Sequence, residues 1–255
     1  DSGNPIQLQK PTKETRVSRT KNIRLFNRKK HSYFVEMTVN NEMSVSSEND
    51  TILVSFKDIS RLYEMTDTLL YQSSHDTLTS LLNRNELSIR LINTLQKTPE
   101  QLQKTAVFFI DIDNFKLIND SCGSLAGDQL LKETAEKIRS FMGSADYAAR
   151  VGGDDFVLVH VCPKELDANE NFSNLAQGFI ERAQIQPFHW NGKTYPITFS
   201  ISIVNLGQGL TTEHDIMVSG SYLVTEIHES GGNRFKFYSE KKSPRLISFD
   251  KRMDK

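Results

Sequence analysis

The sequence has almost no excess of either charge. Its 255 residues carry 31 Lys and Arg against 32 Asp and Glu, a formal net charge of -1. Without a basic surplus there is no global field for nucleic acid or an anionic membrane surface, so any phosphate binding must come from local groups. Long apolar runs are also missing. "AVFFI" and "FVLVHV" are strand-sized and far short of a membrane span, and the N-terminus lacks a basic-then-apolar signal pattern. Cysteine occurs only at Cys122 and Cys162, without paired Cys/His spacing. That argues against a structural zinc site and a disulfide, and it suits a reducing cytosol. The expectation is a soluble, cytoplasmic chain with no membrane segment and no nucleic-acid partner. No internal repeat or low-complexity tract is present. At 37% hydrophobic and 25% charged residues, the composition suffices for one large domain or two small ones.

Residues 1 to 20 are polar, with Pro5 and Pro11, and read as a peripheral lead-in. Three strand-like runs follow, "KNIRLF", "YFVEMTV" and "TILVSF", joined by the turn-rich "NRKKHS" and "NNEMSVSSEND". They predict part of a small antiparallel sheet. In "DISRLYEMTDTLLYQSSHD", Leu62, Met65, Leu69 and Gln72 fall at near-heptad spacing, with Asp58 or Ser60 available as an N-cap. This is a connecting helix, read either as a short coiled coil or as an amphipathic helix packed on its own domain.

From residue 76 strand and helix signals alternate, as in an α/β or α+β domain. Asn83 followed by Glu86 resembles a capping box before a helix bearing Leu87, Leu91 and Leu95. "AVFFID" reads as a buried strand, and a helix is predicted over roughly Gly127 to Met142 from Leu131, Ala135, Ile138 and Met142. Two strands, Tyr147 to Val151 and Phe156 to Val161, flank "GGDD" as a hairpin. A polar, weakly patterned stretch comes next. "YPITFSISIVN" then alternates Ile197, Phe199, Ile201 and Ile203 as a half-buried strand, followed by a helix-like segment near 213 to 229 and a last strand, "RFKFY".

Chemistry concentrates in "DIDNFKLINDSCGSLAGD", residues 111 to 128, where a strand runs into a helix expected to start at Asn114. Such a junction offers free backbone N–H groups to an anion, while a carboxylate at the strand end can hold a cation. Mg²⁺ prefers a few carboxylates plus phosphate oxygens, and Asp111 with Asp113 could converge on it with Asp154 and Asp155 from the hairpin. Each residue also has an ordinary structural role open to it. Gly-Gly-Asp-Asp alone reads as a solvated turn, Asn119 could cap a turn, Asp128 could cap the next helix, and Asp113 could be solvated.

"HDTLTSLLNR", "FIDIDNFKLINDSCGSLAGDQLL" and "ARVGGDDFVLV" resemble three successive blocks of the GGDEF, or diguanylate cyclase, family, and the resemblance spans roughly residues 74 to 238. It implies a nucleotidyl-cyclase-like fold with a mainly antiparallel central sheet flanked by helices. It also implies a homodimer that condenses two GTP into cyclic di-GMP, with Mg²⁺ or Mn²⁺ as cofactor. Carried over by position, Asp111, the Ile112 carbonyl and Asp154 would bind metal, and Asp155 takes the place of the motif's glutamate. Asn119 and Asp128 match the pair that hydrogen-bonds guanine, whose carbonyl and N–H groups such a pair complements. The backbone amides of Asn114 and Phe115 would meet the phosphates.

The departures from the family pattern matter as much. Asp155 is one methylene shorter than Glu, about 1.5 Å of reach, where Mg²⁺–oxygen distances are near 2.1 Å. Ser124 replaces a His. Aligning Gly231 and Asn233 puts His228 at a phosphate-contacting Lys and Gly232 at an Arg, each lost contact costing about 1.5–3 kcal/mol. His228 is expected to be largely neutral at pH 7. Gly143 replaces the Arg of the family's product-inhibition motif, while Asp146 remains, so feedback inhibition there is not expected. The chain is therefore read as a GTP-binding GGDEF domain with weak or absent cyclase activity that regulates an attached domain. The alternatives are an active cyclase and a dimerisation scaffold that binds no nucleotide.

Residues 1 to 58 resemble the second half of a PAS sensor domain, with "DSGNPIQLQKP" at its start and "VSFKDISRLYEM" as the exit into a signalling helix. The expected organisation is a partial PAS-like domain over 1–58, a linker helix over 59–75, a GGDEF domain over 76–240 and a tail over 241–255. That tail resembles the linker by which many GGDEF domains join an EAL phosphodiesterase domain.

Overall fold

A computed structural model describes residues 18–26, 32–42 and 51–239. The lead-in, the "DSGNPIQLQKP" stretch, the two linkers between the first strands and the tail after 240 lie outside the described residues. The chain divides into two compact units, Asp1–Tyr71 and Gln72–Lys255. No described helix is long and apolar enough to cross a membrane.

In the first unit the three expected strands form one antiparallel sheet in the order β1 (Ser18–Phe26), β2 (Ser32–Glu42), β3 (Thr51–Asp58). Helix α1 (Ser60–Ser74) begins where Asp58 Oδ1 accepts from Ser60 N at 2.9 Å, so Asp58 is the residue that caps it. Its first turn is tied to β2. Ser60 Oγ accepts from Phe34 N at 3.0 Å, Ile59 N donates to Phe34 O, and the Tyr63 ring stacks on Phe34 at 4.3 Å. Leu62, Met65 and Leu69 are exposed.

The second unit is built on a five-stranded sheet in the order β10-β9-β4-β6-β5. These strands are β4 (Thr105–Ile112), β5 (Tyr147–Gly152), β6 (Asp155–Val161), β9 (Phe199–Asn205) and β10 (Arg234–Phe237). All pairings are antiparallel except β10 with β9. Period-two alternation on β4 sends Ala106, Phe108, Ile110 and Ile112 to one face, and Val107 and Phe109 to the other. The first face is covered by α4 (Phe115–Cys122), α5 (Ser124–Phe141) and α6 (Ala168–Ile185). The second is covered by α2 (Arg84–Leu95) and α7 (Glu213–Glu229). Asn83 caps α2 by accepting from Glu86 N at 3.0 Å, and a short α3 (Pro99–Gln103) precedes β4.

Three features differ from the sequence reading. β9 is buried on both faces rather than half-buried, because its polar side is satisfied internally: Ser200 Oγ donates to Asp113, and Ser202 Oγ donates to Gly220 O at 2.7 Å. Gly220 is what lets α7 approach that closely, since a Cβ there would lie 1.9 Å from the Phe109 ring. The stretch read as weakly patterned contains α6, which buries Phe172, Ala176, Phe179, Ile180 and Ala183. It also contains a hairpin of β7 (Phe188–Trp190) and β8 (Lys193–Tyr195), turned by Asn191 and Gly192 at φ 48° and 75°. Finally, α5 starts at Ser124, three residues earlier than expected, because Gly123 at φ 86° separates it from α4.

At the end of the sheet remote from the Gly-Gly hairpin, Asp146 is almost wholly enclosed. It accepts from His160 Nδ1 at 2.8 Å, Gly143 N at 2.7 Å and Val161 N at 2.9 Å, while His160 Nε2 meets Asn171 Oδ1 at 2.9 Å. Burial alone would raise the Asp146 carboxyl, but these donors outweigh it and hold it below its usual range. Burial would likewise lower His160, but its bonds to Asp146 and Asn171 hold it above its ordinary value of 6.5. The signs follow. The stability from His160 is complete below pH 6.5 and is lost as pH rises through its higher folded value; that from Asp146 is complete above pH 3.8 and is lost as pH falls through its lower one. Urea unfolding followed at Trp190, the single tryptophan, should show stability falling from pH 6 to pH 8. Asp146→Asn should cost about 3 kcal/mol at pH 6 and flatten that slope; a slope unchanged in the variant would contradict the assignment.

Candidate functional site

The strand β4 ends in two carboxylates with different environments. Asp111 sits in register between Asp155 on β6 and Ser200 on β9, with its side chain 18% exposed. Asp113 follows the strand and is buried, so the solvated role left open for it does not hold. Its Oδ2 accepts from Thr198 Oγ1 at 2.7 Å and from Asn233 N at 2.8 Å, and its Oδ1 accepts from Ser200 Oγ at 2.6 Å. A buried carboxylate needs such compensation. Ile112 between them is fully buried against the core.

The chain then turns sharply. Asn114 adopts the left-handed conformation, φ 59° and ψ 28°, and precedes α4 without a side-chain cap, while Phe115 opens the helix and packs on the core. Asn119 lies within α4 and Asp128 within α5, so neither serves as a helix cap. Gly127 explains their proximity: a Cβ on it would fall 2.0 Å from Asn119 Oδ1, so glycine makes room for the Asn119 amide one residue before Asp128.

The hairpin tip consists of Gly153, at φ 48°, and Asp154, between β5 and β6. Arg150 fixes it. Its Nε donates to Gly153 O at 2.8 Å and its Nη1 bridges both oxygens of Asp76 at 3.3 Å, while Asp76 accepts from Thr79 N and Oγ1. The Asp76-Thr79 turn therefore clamps the hairpin, a role that the sequence reading did not assign. The signal was the pairing of an isolated Asp-Thr-x-Thr turn with an Arg two residues before Gly-Gly.

His228 stands in the last turn of α7, and its Nδ1 lies 2.9 Å from Asp111 Oδ1 and 3.9 Å from Asp113 Oδ1. The bond to Asp111 raises its pKa above the ordinary histidine value, against some loss from burial. Burial is the largest cause that pushes Asp111 up, to about 6; the His228 bond opposes it, and the charges of Asp154 and Asp155 add to it. Asp154 and Asp155 are both raised, each chiefly by burial and Asp155 also by Asp154. Asp111, Asp113 and His228 bring ligand atoms within 4.8 Å of one another, a group that could hold a metal ion; Asp113 was among the carboxylates read from sequence as able to converge on Mg²⁺, and His228 was not. Surplus negative charge beside an imidazole is a donor set that fits a divalent cation.

Gly232 also gains a structural reason. It is buried at φ 59°, and a Cβ on it would lie 2.5 Å from Asp113 Oδ2. The turn it makes brings Asn233 N to Asp113, while the Arg234 guanidinium donates to Gly232 O and Ser230 O behind the helix end.

Comparison with known proteins places this arrangement. Over 170 residues the chain is 34% identical to the bifunctional diguanylate cyclase/cyclic di-GMP phosphodiesterase MucR of Pseudomonas aeruginosa, covering 67% of the chain and 24% of that protein. The chain spans 18% to 24% of the length of the first three curated relatives that it matches. Among solved structures, the GGDEF domain of TpbB from P. aeruginosa aligns with a TM-score of 0.61 and 29% identity, over 68% of this chain and 98% of that one. A sensory box/GGDEF protein from Caulobacter crescentus aligns with a TM-score of 0.57 and 34% identity, over 62% and 99%. Residues 73–234 match the profile described as diguanylate cyclase, GGDEF domain, and with its sheet, hairpin and strand-end carboxylates in that order the chain belongs to the GGDEF family.

Proposed function

We propose that this chain serves in cyclic di-GMP signalling as a GGDEF domain that binds GTP with a divalent ion, turns it over weakly or not at all, and regulates an attached output domain. The observation that supports the reading is the engagement of His228 and Gly232. The side chain at the lysine position is directed to Asp111, and the turn at the arginine position brings the N–H of the next residue, Asn233, onto Asp113. The phosphates are thereby deprived of two cationic contacts, while the groups suited to guanine, Asn119 and Asp128, sit on the adjacent helices α4 and α5.

In this reading Asn119 and Asp128 orient the base, and the backbone N–H groups of Asn114 and Phe115, at the left-handed turn into α4, donate to the phosphates. Asp111, Asp154 and the Ile112 carbonyl hold the ion, with Asp113 and His228 at hand. When bound, the ion supplies charge stabilisation at the phosphate and favours ionisation of the attacking hydroxyl. Asp155 faces Asp111 directly across the β4–β6 ladder, and its shorter side chain holds its carboxylate nearer its own strand than a glutamate would. Two protomers, each presenting one nucleotide, make up the productive unit, and the first 58 residues act as a PAS-like input. An EAL phosphodiesterase domain is the proposed output. The retained Asp111, Asp154, Asn119 and Asp128 favour a second reading, an active dimeric cyclase.

The two readings separate in one assay: purified protein with GTP and either Mg²⁺ or Mn²⁺, cyclic di-GMP quantified by mass spectrometry, and calorimetry with a non-hydrolysable GTP analogue. Binding is expected, with product formation at least about 100-fold below that of an active GGDEF cyclase, from two lost contacts of about 1.5–3 kcal/mol each. Turnover at the control rate would establish the active enzyme. Asp155→Glu combined with His228→Lys should raise turnover by tenfold or more. Gly232→Arg, by contrast, should not restore phosphate affinity. A side chain forced into the left-handed region against the Asp113 carboxylate should instead cost about 1–3 kcal/mol in urea unfolding.

A further inference from the structure

We infer that His228 is a direct nitrogen ligand of the divalent ion, which gives this GGDEF site a selectivity for first-row transition ions such as Mn²⁺ and Co²⁺ over Mg²⁺. The inference deepens the reading of Asp111 as part of a metal site and rests on it.

The geometry is that of neighbouring ligands on one ion. Two donors that hold a first-row ion at about 2.1 Å at right angles lie about 3 Å apart. His228 Nδ1 and Asp111 Oδ1 are separated by 2.9 Å, and Asp113 Oδ1 is 3.9 Å from the same nitrogen. The third donor is prearranged. Asp113 Oδ2 already accepts from Thr198 and Asn233, but Oδ1 takes only the Ser200 hydroxyl and retains a lone pair for a ligand. Exposure falls in the order a half-open site requires, with side chains 40% exposed at His228, 18% at Asp111 and 4% at Asp113.

Chemistry then decides which ion. Mg²⁺ takes oxygen donors and dehydrates reluctantly, whereas imidazole nitrogen suits transition ions, with affinity rising from Mn²⁺ towards Co²⁺. A lysine at position 228 is a cation that cannot ligate while charged. Histidine replaces it with a donor, so the substitution that weakens phosphate binding adds a ligand. The end of the helix that carries His228 is fixed by Gly232 N donating to Ile227 O and by the Arg234 guanidinium donating to Gly232 O and Ser230 O.

The test uses the full chain without nucleotide. Mn²⁺ binding is followed by electron paramagnetic resonance, Co²⁺ by its visible absorption, and Mg²⁺ by competition. Wild type should bind Mn²⁺ at least 100-fold more tightly than Mg²⁺, with directly coupled ¹⁴N in the electron spin echo modulation. Asp111→Asn should abolish that signal. His228→Ala should remove the nitrogen coupling and lower Mn²⁺ and Co²⁺ affinity by at least tenfold, while Mg²⁺ affinity changes less than threefold. Wild type that binds neither transition ion, Mn²⁺ bound through Asp111 without nitrogen coupling, or an Mn²⁺/Mg²⁺ ratio unchanged in His228→Ala would each overturn the inference. Binding of the GTP analogue, measured separately, tests the nucleotide reading, so loss of one is distinguishable from loss of the other.

Discussion

The buried carboxylate of Asp113 organises this site. Desolvating an anion is tolerated only where donors replace water, and the three that do so come from different parts of the chain. Thr198 and Ser200 lie at the entry to β9, and Asn233 N lies in the turn that follows α7. Satisfying Asp113 therefore pins the end of β4 to its neighbouring strand and to the end of a helix at once. The helix end then has no freedom in where His228 falls, and the turn has none in what Gly232 can be, because a Cβ at that position meets the same carboxylate.

The same residue types behave in opposite ways at the two ends of the sheet, and the contrast separates structural from functional charge. Asp146 is enclosed with two backbone donors and a histidine, and it is held below its usual range. Asp111 and Asp154 are raised by burial that their neighbours do not offset, and Asp155 adds a further like charge. One cluster is complete as folded. The other crowds like charges that a proton or a bound cation would relieve, an arrangement that clusters at functional sites more than in stabilising networks.

Much of this was legible in the sequence because its signals were local. The continuous apolar run of β4, the Asn83 cap, the Gly-Gly hairpin and the helix over 213–229 all rest on local sequence. α6 was missed although Asp167 caps Glu170 N, since Asn, Gln, Ser and Gly dilute the apolar spacing of its buried face. The Asn191-Gly192 turn was a readable signal overlooked within a polar stretch. What no local pattern contains is the meeting of residues far apart in sequence. Asp113 with Asn233, Asp111 with His228, and Arg150 with Asp76 each join segments 74 to 120 positions apart, and the reasons for Gly127, Gly220 and Gly232 exist only once those segments meet.

Three of the departures from the family pattern are coupled through two carboxylates. Asp155 stands opposite Asp111 on the ladder, His228 donates to Asp111, and Gly232 accommodates Asp113. A shorter acid stands across from Asp111, and an imidazole reaches the same carboxylate from α7. Substitutions that share partners are not additive, so no single reversion resets the site. A lysine at 228 would meet an Asp111 still faced by the short Asp155, and an arginine at 232 would break the turn that supports Asp113. These substitutions form one connected change in the side chains around β4 rather than three independent losses.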